Sequence, residues 1–481
     1  MPERTSSERT LAMAAAAMDG RVIEGDPAAR WRGAAIDSRR VEGGELFFAL
    51  PGEKADGHDY VADAGRRGAA AAVVHRDVEP PGGACGLVRV AATFAALHAL
   101  TRAVRAAVPR QLVAVTGSTG KTTTKELLAA MLGRRFATAR NPGNLNNLYG
   151  FPVALLGVPD YCAWMVAEMG MSVPGELGQV SRLGRPDAVV FTNVRAVHLE
   201  NFADLAAIAD AKAEIFAGLA DGGLVVANAD DPEVERIVRR HAAEHRVRLV
   251  RYAVRDRGAE VTATPPRPRE DGRVGSRFEL AAGGETVAVE LPVHGLYNAE
   301  NCLAAAACAH ALGVPLAEIR AAAAAFTPAA GRGEVFRLAG GVTLVDDTYN
   351  SNPDAAEKAL ESARALAGER WVAVLGEMLE LGDAAGGFHR RVGARAAALG
   401  FDPIVGVGEL ARELLAGAVR HGAAGRGVTA SHFGDAAQAA VGLPSAVRPG
   451  DVVLVKGSRG VGLEAVVRAL RVELAPERED G

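Results

Sequence analysis

Short apolar runs alternate with helical periodicity along most of this chain, and the first of them predict a small α/β unit. Between residues 34 and 92 the runs "LFFAL", "AAAAVV" and "GLVRV" are separated by Gly, Asp and Pro turns, as strands in such a unit are. The pattern changes after residue 110. "RQLVAV" ends at "TGSTGK", and "KTTTKELLAAMLGRR" places Leu127, Leu128, Met131 and Leu132 on one helical face. This segment therefore predicts a strand, a glycine turn and a helix.

Three further apolar runs extend this central unit. "YCAWMVAEM", "PDAVVFTNV" and "GGLVVANAD" are each followed by a helical pattern, which is typical of a doubly wound sheet. Residues 247–292 have a different pattern, because "RLVRYAV" and "SRFELAAGGETVAVELPV" flank a loop rich in Pro and Arg. We predict that these two segments form antiparallel strands in a β appendage of the central domain.

Four apolar runs separated by helical stretches predict another α/β domain from residue 342 onward. They are "VTLVDD", "RWVAVLGE", "FDPIVGVG" and "DVVLVKGS", and "AAFTPAAGRGE" is the predicted linker before them. The predicted fold class is thus α/β with three domains, at 1–92, 93–328 and 329–481. The apolar "TLAMAAAAM" near the start is predicted to be a first helix rather than a signal peptide, because it lacks a compact basic region.

Composition supports this organisation and argues against some classes of function. A chain of 481 residues exceeds what one hydrophobic core usually organises. The net charge is −4, with acidic and basic residues mixed and no long basic run, which argues against nucleic-acid binding. The four cysteines have no CxxC spacing, and no segment approaches the length of an apolar membrane span. We expect a cytoplasmic protein that is not inserted in a membrane and acts on small molecules.

Lysine is scarce in this chain. Only six of the 54 basic residues are lysines, and one of them is Lys212 in "IADAKAEIF". A position that needs only positive charge would be filled by arginine, as almost everywhere else in the sequence. Lys212 is therefore a candidate for chemistry that requires an amine.

The segment "TGSTGKTT" at 116–123 is the strongest functional motif. A glycine turn between a strand and a helix lets backbone N–H groups hold phosphate oxygens. The candidate nucleotide-binding residues of this loop are Gly117, Ser118, Thr119, Gly120, Lys121, Thr122 and Thr123. Lys121 would reach the terminal phosphates and the Thr122 hydroxyl would bind Mg²⁺. The motif differs from the usual form because Val115 occupies the position of the first glycine.

Three candidate catalytic or metal-binding residues follow successive predicted strands. Glu168 ends a buried strand, where a carboxylate needs an ion-pair partner or a metal. His198 lies in a loop, where most histidines have no special role, and Lys212 could be a solvated helix residue. Each residue alone is weak evidence. Together they place an oxygen, a nitrogen and an amine at the edge of the sheet where α/β folds bind ligands.

The other candidates are polar residues at the ends of strands and helices. They are Asn298, Asn301, Arg332, Asp347, Lys456, Arg459, Ser38 and Arg39. The two asparagines could simply cap a helix, and the rest could be turn residues or solvated charges. The sequence alone leaves these alternatives open.

With these motifs in view, the chain closely resembles the Mur ligase family, the ATP-dependent enzymes that extend the peptide of the bacterial cell-wall precursor. The resemblance covers nearly the whole chain and includes "DSRRVEGGELFFALPGEKADGHDYV", "TGSTGKTTTKELL" and "EMGMSVPGELGQVSRLGRPDAVVFTNV". The segments "GNLNNLYGFP" and "DDTYNSNPDA" are most similar to family members that join D-alanyl-D-alanine to UDP-N-acetylmuramoyl-tripeptide.

The resemblance implies a role for each domain. The N-terminal domain would bind the UDP end of the sugar substrate, and the central P-loop-type domain would be the ATPase. The C-terminal Rossmann-like domain would close over the nucleotide and admit the incoming amine. The implied reaction forms an acyl phosphate from the tripeptide carboxylate, which the dipeptide amine then attacks.

The resemblance also implies roles for individual residues. Lys212 would be carbamylated by CO₂ and bind a second Mg²⁺ together with His198, and Thr122 and Glu168 would bind the first Mg²⁺. A carbamate requires a neutral primary amine, which a partly buried lysine can supply and a guanidinium cannot. The further implied contacts are Lys121 and Arg332 to phosphate, Asn298 and Asn301 to adenine, Asp347 to ribose, and Ser38 and Arg39 to the UDP group. Lys456 and Arg459 are predicted to bind substrate anions.

Three positions differ from the family pattern: Arg195 stands for glycine, Tyr297 for histidine and Thr119 for asparagine. The alternatives to the implied activity are another amide ligase of the same type, such as a folylpolyglutamate synthase, and a nucleotide-binding regulatory protein that ligates nothing. We expect a monomer that uses ATP and Mg²⁺.

Overall fold

The computed structural model describes residues 9–81, 84–197, 199–269, 274–293, 295–422 and 427–475, with the side chain of Leu296 left out. Its first sheet has five strands in the order β1-β5-β4-β3-β2, with β1 antiparallel to β5 and the other pairs parallel. The strands are β1 (Arg21–Glu24), β2 (Ala34–Ala35), β3 (Leu46–Phe48), β4 (Ala71–Val74) and β5 (Gly86–Arg89). The helices that accompany them are α1 (Leu11–Ala17), α2 (Val61–Arg66) and α3 (Thr93–Ala107). The predicted small α/β unit and its first helix are confirmed.

The second sheet is mostly parallel and has ten strands. They are β6 (Gln111–Thr116), β7 (Thr138–Arg140), β8 (Trp164–Glu168), β9 (Ala188–Phe191), β10 (Leu224–Asn228), β11 (Arg248–Ala253), β12 (Val261–Ala263), β13 (Arg267–Pro268), β14 (Ser276–Ala282) and β15 (Glu285–Leu291). The helices are α4 (Lys121–Leu132), α5 (Gly150–Leu156), α6 (Glu176–Gly184), α7 (Leu205–Ala213), α8 (Pro232–Glu244), α9 (Leu296–Ala311) and α10 (Leu316–Ala324). The strand order is β13-β14-β12-β11-β10-β9-β6-β8-β7, and β15 pairs with β14.

The order of this sheet determines where a ligand can bind. β6 lies between β9 and β8, so the strands that follow it in sequence are placed on both sides of it. Such a reversal of strand order opens a crevice at the carboxyl ends of the strands, where α/β folds bind ligands. The strand pairing places Val115 beside Glu168 and Thr116 beside Phe191. The glycine loop after β6 and the carboxylate that ends β8 therefore lie at the same edge.

The predicted β appendage is only partly correct. The segment "RLVRYAV" forms β11, which runs parallel to both β10 and β12, so its predicted antiparallel pairing is wrong. β14 and β15 do form an antiparallel hairpin, and β14 also pairs antiparallel with β12. The appendage is thus a continuation of the central sheet. The apolar pattern of a strand does not determine its direction, which depends on how the preceding helix α8 returns the chain.

Six strands form the third sheet. They are β16 (Glu334–Arg337), β17 (Thr343–Asp347), β18 (Arg370–Gly376), β19 (Ile404–Val407), β20 (Ala430–Phe433) and β21 (Asp451–Lys456), in the order β16-β17-β21-β18-β19-β20. The helices are α11 (Pro353–Arg364), α12 (Ala385–Ala398), α13 (Ala411–Gly422), α14 (Ala436–Gly442) and α15 (Glu464–Glu473). All four predicted strands are confirmed. The additional strands, β16 and β20, are the two edges of the sheet, where fewer side chains need to be apolar.

Helix α4 packs against α9 in the core of the central domain. Leu127, Leu128, Met131 and Leu132 are all fully buried, which confirms the predicted apolar face of α4. Seven of the 16 residues of α9 are alanine, and the stretch from residue 301 to 309 is buried throughout. Because alanine side chains are small, the two helices approach closely and the start of α9 lies against the glycine loop. None of the helices in the described residues combines the length and the apolar character needed to cross a membrane.

Candidate active site

The glycine loop between β6 and α4 has a backbone that only glycine fits at two positions. Gly117 has φ +146° and Gly120 has φ +80°. A Cβ atom at Gly117 would lie 1.9 Å from Thr192 Oγ1, and one at Gly120 would lie 2.1 Å from Asn301 Oδ1. Both distances are far below van der Waals contact. The loop can therefore keep its backbone close to its neighbours and its N–H groups directed outward, as phosphate binding requires.

Asn193 holds this loop in place, although it was not among the predicted site residues. Its backbone carbonyl accepts a hydrogen bond from the Ser118 N–H at 2.9 Å. Its side-chain oxygen accepts one from the Thr119 N–H at 3.0 Å, and its side-chain nitrogen donates to the Thr119 carbonyl at 3.2 Å. Asn193 is also within 3.0 Å of the Thr119 hydroxyl. Its position two residues beyond β9, at the edge where the predicted ligand site lies, was the available signal.

Lys121 begins α4 and turns back over the loop. Its Nζ donates to the carbonyl oxygens of Gly117 and Ser118, at 2.9 and 3.1 Å. Burial lowers the pKa of Lys121, which the nearby Glu168 partly offsets and Arg332 reinforces. Within the described residues, the hydrogen bonds of this amine go to neutral carbonyls, so a phosphate group entering the loop could pair with it directly.

Glu168 is buried at the end of β8 within a set of oxygen and amide groups. Its carboxylate accepts hydrogen bonds from the Thr122 hydroxyl at 2.5 Å and from the Asn146 side chain at 2.7 Å. Asn141 bonds both backbone groups of Glu168, and the fully buried Lys125 donates to the Asn141 carbonyl at 2.7 Å. A hydroxyl beside a carboxylate is a suitable pair of donors for Mg²⁺, which prefers oxygen ligands. The donor set therefore fits the predicted magnesium site.

Lys212 lies near the end of α7 and is almost completely buried, with 3% of the residue exposed. Within the part of the chain that the structure describes, its amine has no hydrogen bond and no ion pair. Burial lowers the pKa of Lys212 well below its ordinary value, and the charge of Lys121 lowers it further. The amine is thus held in an environment that favours its neutral form. His198, the predicted partner of Lys212, lies outside the described residues.

Arg195 contacts the glycine loop, the buried Asp231 of the central domain and Asp354 of the C-terminal domain. Its backbone N–H donates to Ser118 Oγ at 2.8 Å, and that hydroxyl donates to the Arg195 carbonyl at 3.1 Å. Its guanidinium donates to the buried carboxylate of Asp231 at 2.5 Å. Its Nε lies 3.8 Å from Asp354 Oδ2 at the start of α11, in the C-terminal domain. The loop therefore accommodates an arginine at the position where the family pattern has glycine.

The C-terminal domain contributes a second set of charged side chains. Lys456, at the end of β21, is buried and pairs with Asp347 Oδ2 at 2.7 Å. The guanidinium of Arg332 lies 3.8 Å from the ring centre of Tyr349, and that of Arg459 lies 5.2 Å from the same ring. Tyr349, which sequence reasoning did not single out, thus orients two arginines through cation–π contacts.

One cavity of about 480 Å³ brings nearly all of these residues together between the central and C-terminal domains. The predicted residues that line it are Gly117, Ser118, Thr119, Gly120, Lys121, Thr122, Thr123, Glu168, Lys212, Asn298, Asn301, Arg332, Asp347, Lys456 and Arg459. Asn298 and Asn301 are buried in the first turns of α9. Four of the six lysines, Lys121, Lys212, Lys358 and Lys456, are among the lining residues. The scarcity of lysine was therefore informative about the site.

Ser38 and Arg39 lie apart from this cavity, in the N-terminal domain. They occupy a short 3₁₀ helix, Ser38–Arg40, which is capped by Asp37. Ser38 is buried, whereas the Arg39 side chain is 81% exposed and its guanidinium donates to both oxygens of Asp37, at 2.9 and 2.8 Å. The two residues can therefore contact only a part of a substrate that extends onto the N-terminal domain.

Comparison with known proteins places this geometry in a family. Three family models match, described as "Mur ligase family, catalytic domain" at residues 31–112, "Mur ligase middle domain" at 115–309 and "Mur ligase, glutamate ligase domain" at 331–459. The UDP-N-acetylmuramoyl-tripeptide–D-alanyl-D-alanine ligase of Escherichia coli K12 is 35% identical over 439 residues, covering 90% of this chain and 92% of that protein. The chain belongs to the Mur ligase family.

Solved structures of this family extend the similarity to the whole fold. A crystal structure of MurF from Acinetobacter baumannii has a TM-score of 0.84 and 30% sequence identity, covering 97% of this chain and 99% of that one. The MurF ligase of Thermotoga maritima in complex with ADP has a TM-score of 0.76 and 27% identity, covering 92% and 98%. The predicted α/β fold with three Mur ligase domains is confirmed.

Proposed function

We propose that this Mur ligase joins D-alanyl-D-alanine to UDP-N-acetylmuramoyl-tripeptide at the expense of ATP. The observation that carries the proposal is one cavity shared by the central and C-terminal domains. In it the glycine loop, the Thr122–Glu168 pair and Lys212, which has no partner among the described residues, meet the cationic side chains of the C-terminal domain. The similarity to ligases named for this reaction supports the choice of substrates.

ATP would bind with its phosphates in the glycine loop. The loop N–H groups and Lys121 would hold the β- and γ-phosphates, and Arg332 would contact them from the C-terminal domain. Asn298 and Asn301 would contact adenine. The Asp347 carboxylate, which keeps acceptor positions free beside its bond to Lys456, would accept a ribose hydroxyl. Thr122 and Glu168 would hold Mg²⁺, which neutralises charge that develops on the transferred phosphoryl group.

Lys212 would carry a carbamate formed with CO₂. Its burial, its lack of a partner among the described residues and its lowered pKa all favour the neutral amine that reacts with CO₂. The resulting carboxylate would supply a hard oxygen ligand for a second Mg²⁺, for which His198 would be the other ligand. An arginine at this position could not form this group, because the guanidinium stays protonated.

The substrate carboxylate would attack the γ-phosphate to give an acyl phosphate and ADP, and the dipeptide amine would then displace phosphate to form the amide. The catalytic groups of this chain act by position and charge: Lys121 and Arg332 would stabilise the phosphoryl oxygens. Lys456 and Arg459 would hold substrate anions. Closure of the C-terminal domain over the cavity would exclude water from the acyl phosphate.

Ser38 and Arg39 would bind the UDP end of the sugar substrate on the N-terminal domain. A guanidinium suits a diphosphate because it donates two hydrogen bonds at once.

We further propose domain limits at 1–92, 93–328 and 329–481, and a monomer that works in the cytoplasm. The four cysteines are free and buried, as expected in a reducing compartment.

The test is a phosphate-release assay with purified protein, ATP and Mg²⁺. We expect release only when UDP-N-acetylmuramoyl-tripeptide and D-alanyl-D-alanine are both present, with one amide formed per phosphate. Single amino acids and a folate-type acceptor should not replace the dipeptide. Turnover with glutamate in place of the dipeptide would favour another amide ligase. Phosphate release that is independent of both substrates would favour the regulatory nucleotide-binding alternative.

A further inference from the structure

The carboxyl-terminal end of helix α8 carries three side chains whose donor atoms are close together. His241, Glu244 and His245 each offer one ligand atom, and these atoms all lie within 4.8 Å of one another. His241 and Glu244 lie three residues apart on one face of the last turn of α8. His245 follows as the C-cap with an extended backbone, and its N–H donates to the His241 carbonyl at 2.9 Å. None of them lines the cavity described above.

His241 supplies a second and independent observation. Both of its ring nitrogens are buried, and neither has a hydrogen-bond partner in the described part of the chain. Buried polar atoms are normally paired, because leaving one unpaired costs about 1–3 kcal/mol. Its Nδ1 lies 3.8 Å from Glu244 Oε2, which is too far for a hydrogen bond. The ring therefore needs a partner that the described part of the chain does not provide.

The surroundings of His241 favour it as a neutral ligand with a fixed orientation. Its ring stacks on Phe216 with the centroids 4.6 Å apart and an angle of 13° between the planes. Burial lowers the pKa of His241, and the charge of Arg240 lowers it further. The ring of His245 is nearly parallel to that of His241, at 6.2 Å, and is exposed, so it can turn toward a shared ligand.

We propose that His241, Glu244 and His245 bind one divalent transition-metal ion, of the class of Zn²⁺, Co²⁺ or Ni²⁺. Metal–ligand distances of about 2.0–2.2 Å require donor atoms about 3.0–3.5 Å apart. The exposed side chains of Glu244 and His245 can close the remaining gap by changing rotamer. Two imidazoles and one carboxylate are the donors these ions prefer, whereas Mg²⁺ prefers oxygen ligands. The cation would also lie at a helix carboxyl end, where the helix dipole favours positive charge.

Titration with Co²⁺ tests the proposal directly. The full-length protein is stripped with EDTA and transferred to excess Mg²⁺, which occupies oxygen-rich sites. Co²⁺ is then added while the visible absorption of the bound ion is recorded. We expect one Co²⁺ per chain, displaced by Zn²⁺, and a higher melting temperature when the ion is bound.

Two variants and one matched control locate the ion. His245→Gln, which alters an exposed residue and leaves the buried ring in place, should weaken Co²⁺ binding at least about 10-fold. Glu244→Gln should also weaken it. His421→Gln, at an exposed histidine of α13 outside the cluster, should bind like the wild type. Unchanged binding in His245→Gln, or a wild-type protein that binds no Co²⁺ in excess Mg²⁺, would overturn the proposal.

Discussion

Replacing Lys212 by arginine tests the most unusual feature of the site. The variant keeps the positive charge and nearly the length of the side chain. The wild-type amine is almost completely buried, and its pKa is lowered by that burial and by Lys121. A guanidinium stays protonated in the same place. If the working form of Lys212 is a carbamate, the variant puts a cation where an anion must hold Mg²⁺.

The expected loss follows from this change of charge. Removing one preorganised group that stabilises a developing charge costs about 10² to 10³ in kcat, or about 2.7–4 kcal/mol. Lys212→Arg also introduces a charge of the wrong sign beside Lys121, so we expect a loss of at least this size. Lys54→Arg is the matched control, because Lys54 is exposed on the N-terminal domain and does not line the cavity. We expect the control to stay within about threefold of the wild type.

The assay is ligation measured by coupled phosphate release, with circular dichroism to confirm that each variant is folded. Removal of CO₂ and bicarbonate should lower wild-type activity reversibly. Acetate should partly restore Lys212→Ala, since it returns a carboxylate to the vacated space, whereas methylammonium should not. Wild-type turnover by Lys212→Arg would refute the reasoning, and rescue by methylammonium alone would show that the amine itself is required.

Three further predictions concern the stability and binding of the same enzyme. Lys212→Met should raise the melting temperature by a few degrees in CO₂-free buffer, because an amine buried without a partner opposes folding. At a pH between the lowered pKa of Lys212 and its ordinary value of 10.5, the amine is neutral in the folded protein and takes up a proton on unfolding. The stability of the wild type therefore rises with pH in this window, and the advantage of the variant shrinks. An advantage that does not change with pH would contradict this explanation. Asn193→Ala should raise the KM for ATP and lower kcat, so that kcat/KM falls about 10- to 100-fold. The reason is that each lost hydrogen bond of the glycine loop is worth about 1 kcal/mol. Unaltered kinetics in that variant would show that the loop keeps its shape without Asn193. Arg39→Ala should raise the KM for the UDP-peptide more than that for ATP. A rise in the KM for ATP alone would mean that the roles of the domains are assigned wrongly.

The parts of the site that the sequence predicted have either a local physical requirement or an unusual residue type. The glycine loop was visible because Gly117 and Gly120 need backbone angles that other residues rarely adopt. Glu168 was visible because a carboxylate at the end of a buried strand needs a partner. Lys212 was visible because lysine is rare in this chain. The signals for the glycine loop and Glu168 are local to their positions, whereas the signal for Lys212 comes from the composition of the whole chain.

The parts that the sequence did not predict depend on contacts between distant segments. Asn193 is 74 residues from Thr119, and an asparagine after a strand could equally be a turn residue. The direction of β11 depends on the path of helix α8, which the apolar pattern does not encode. Lys125 is different, because the scarcity of lysine applied to it as much as to Lys212, and it too is buried beside the site. That signal was available and was not followed.

The distribution of lysines allows the cavity to be studied selectively by NMR of labelled lysine side chains. All six lysines are in described residues; four line the cavity, Lys125 lies just behind it, and only Lys54 is exposed on the N-terminal domain. Growth on ¹³C-labelled lysine would therefore give an NMR spectrum with six side-chain signals, of which five come from the site or its immediate support. The signal of Lys54 would serve as an internal reference. Nucleotide binding, domain closure and reaction of Lys212 with CO₂ could then be followed separately in a protein of 49.7 kDa, without assigning the rest of its spectrum.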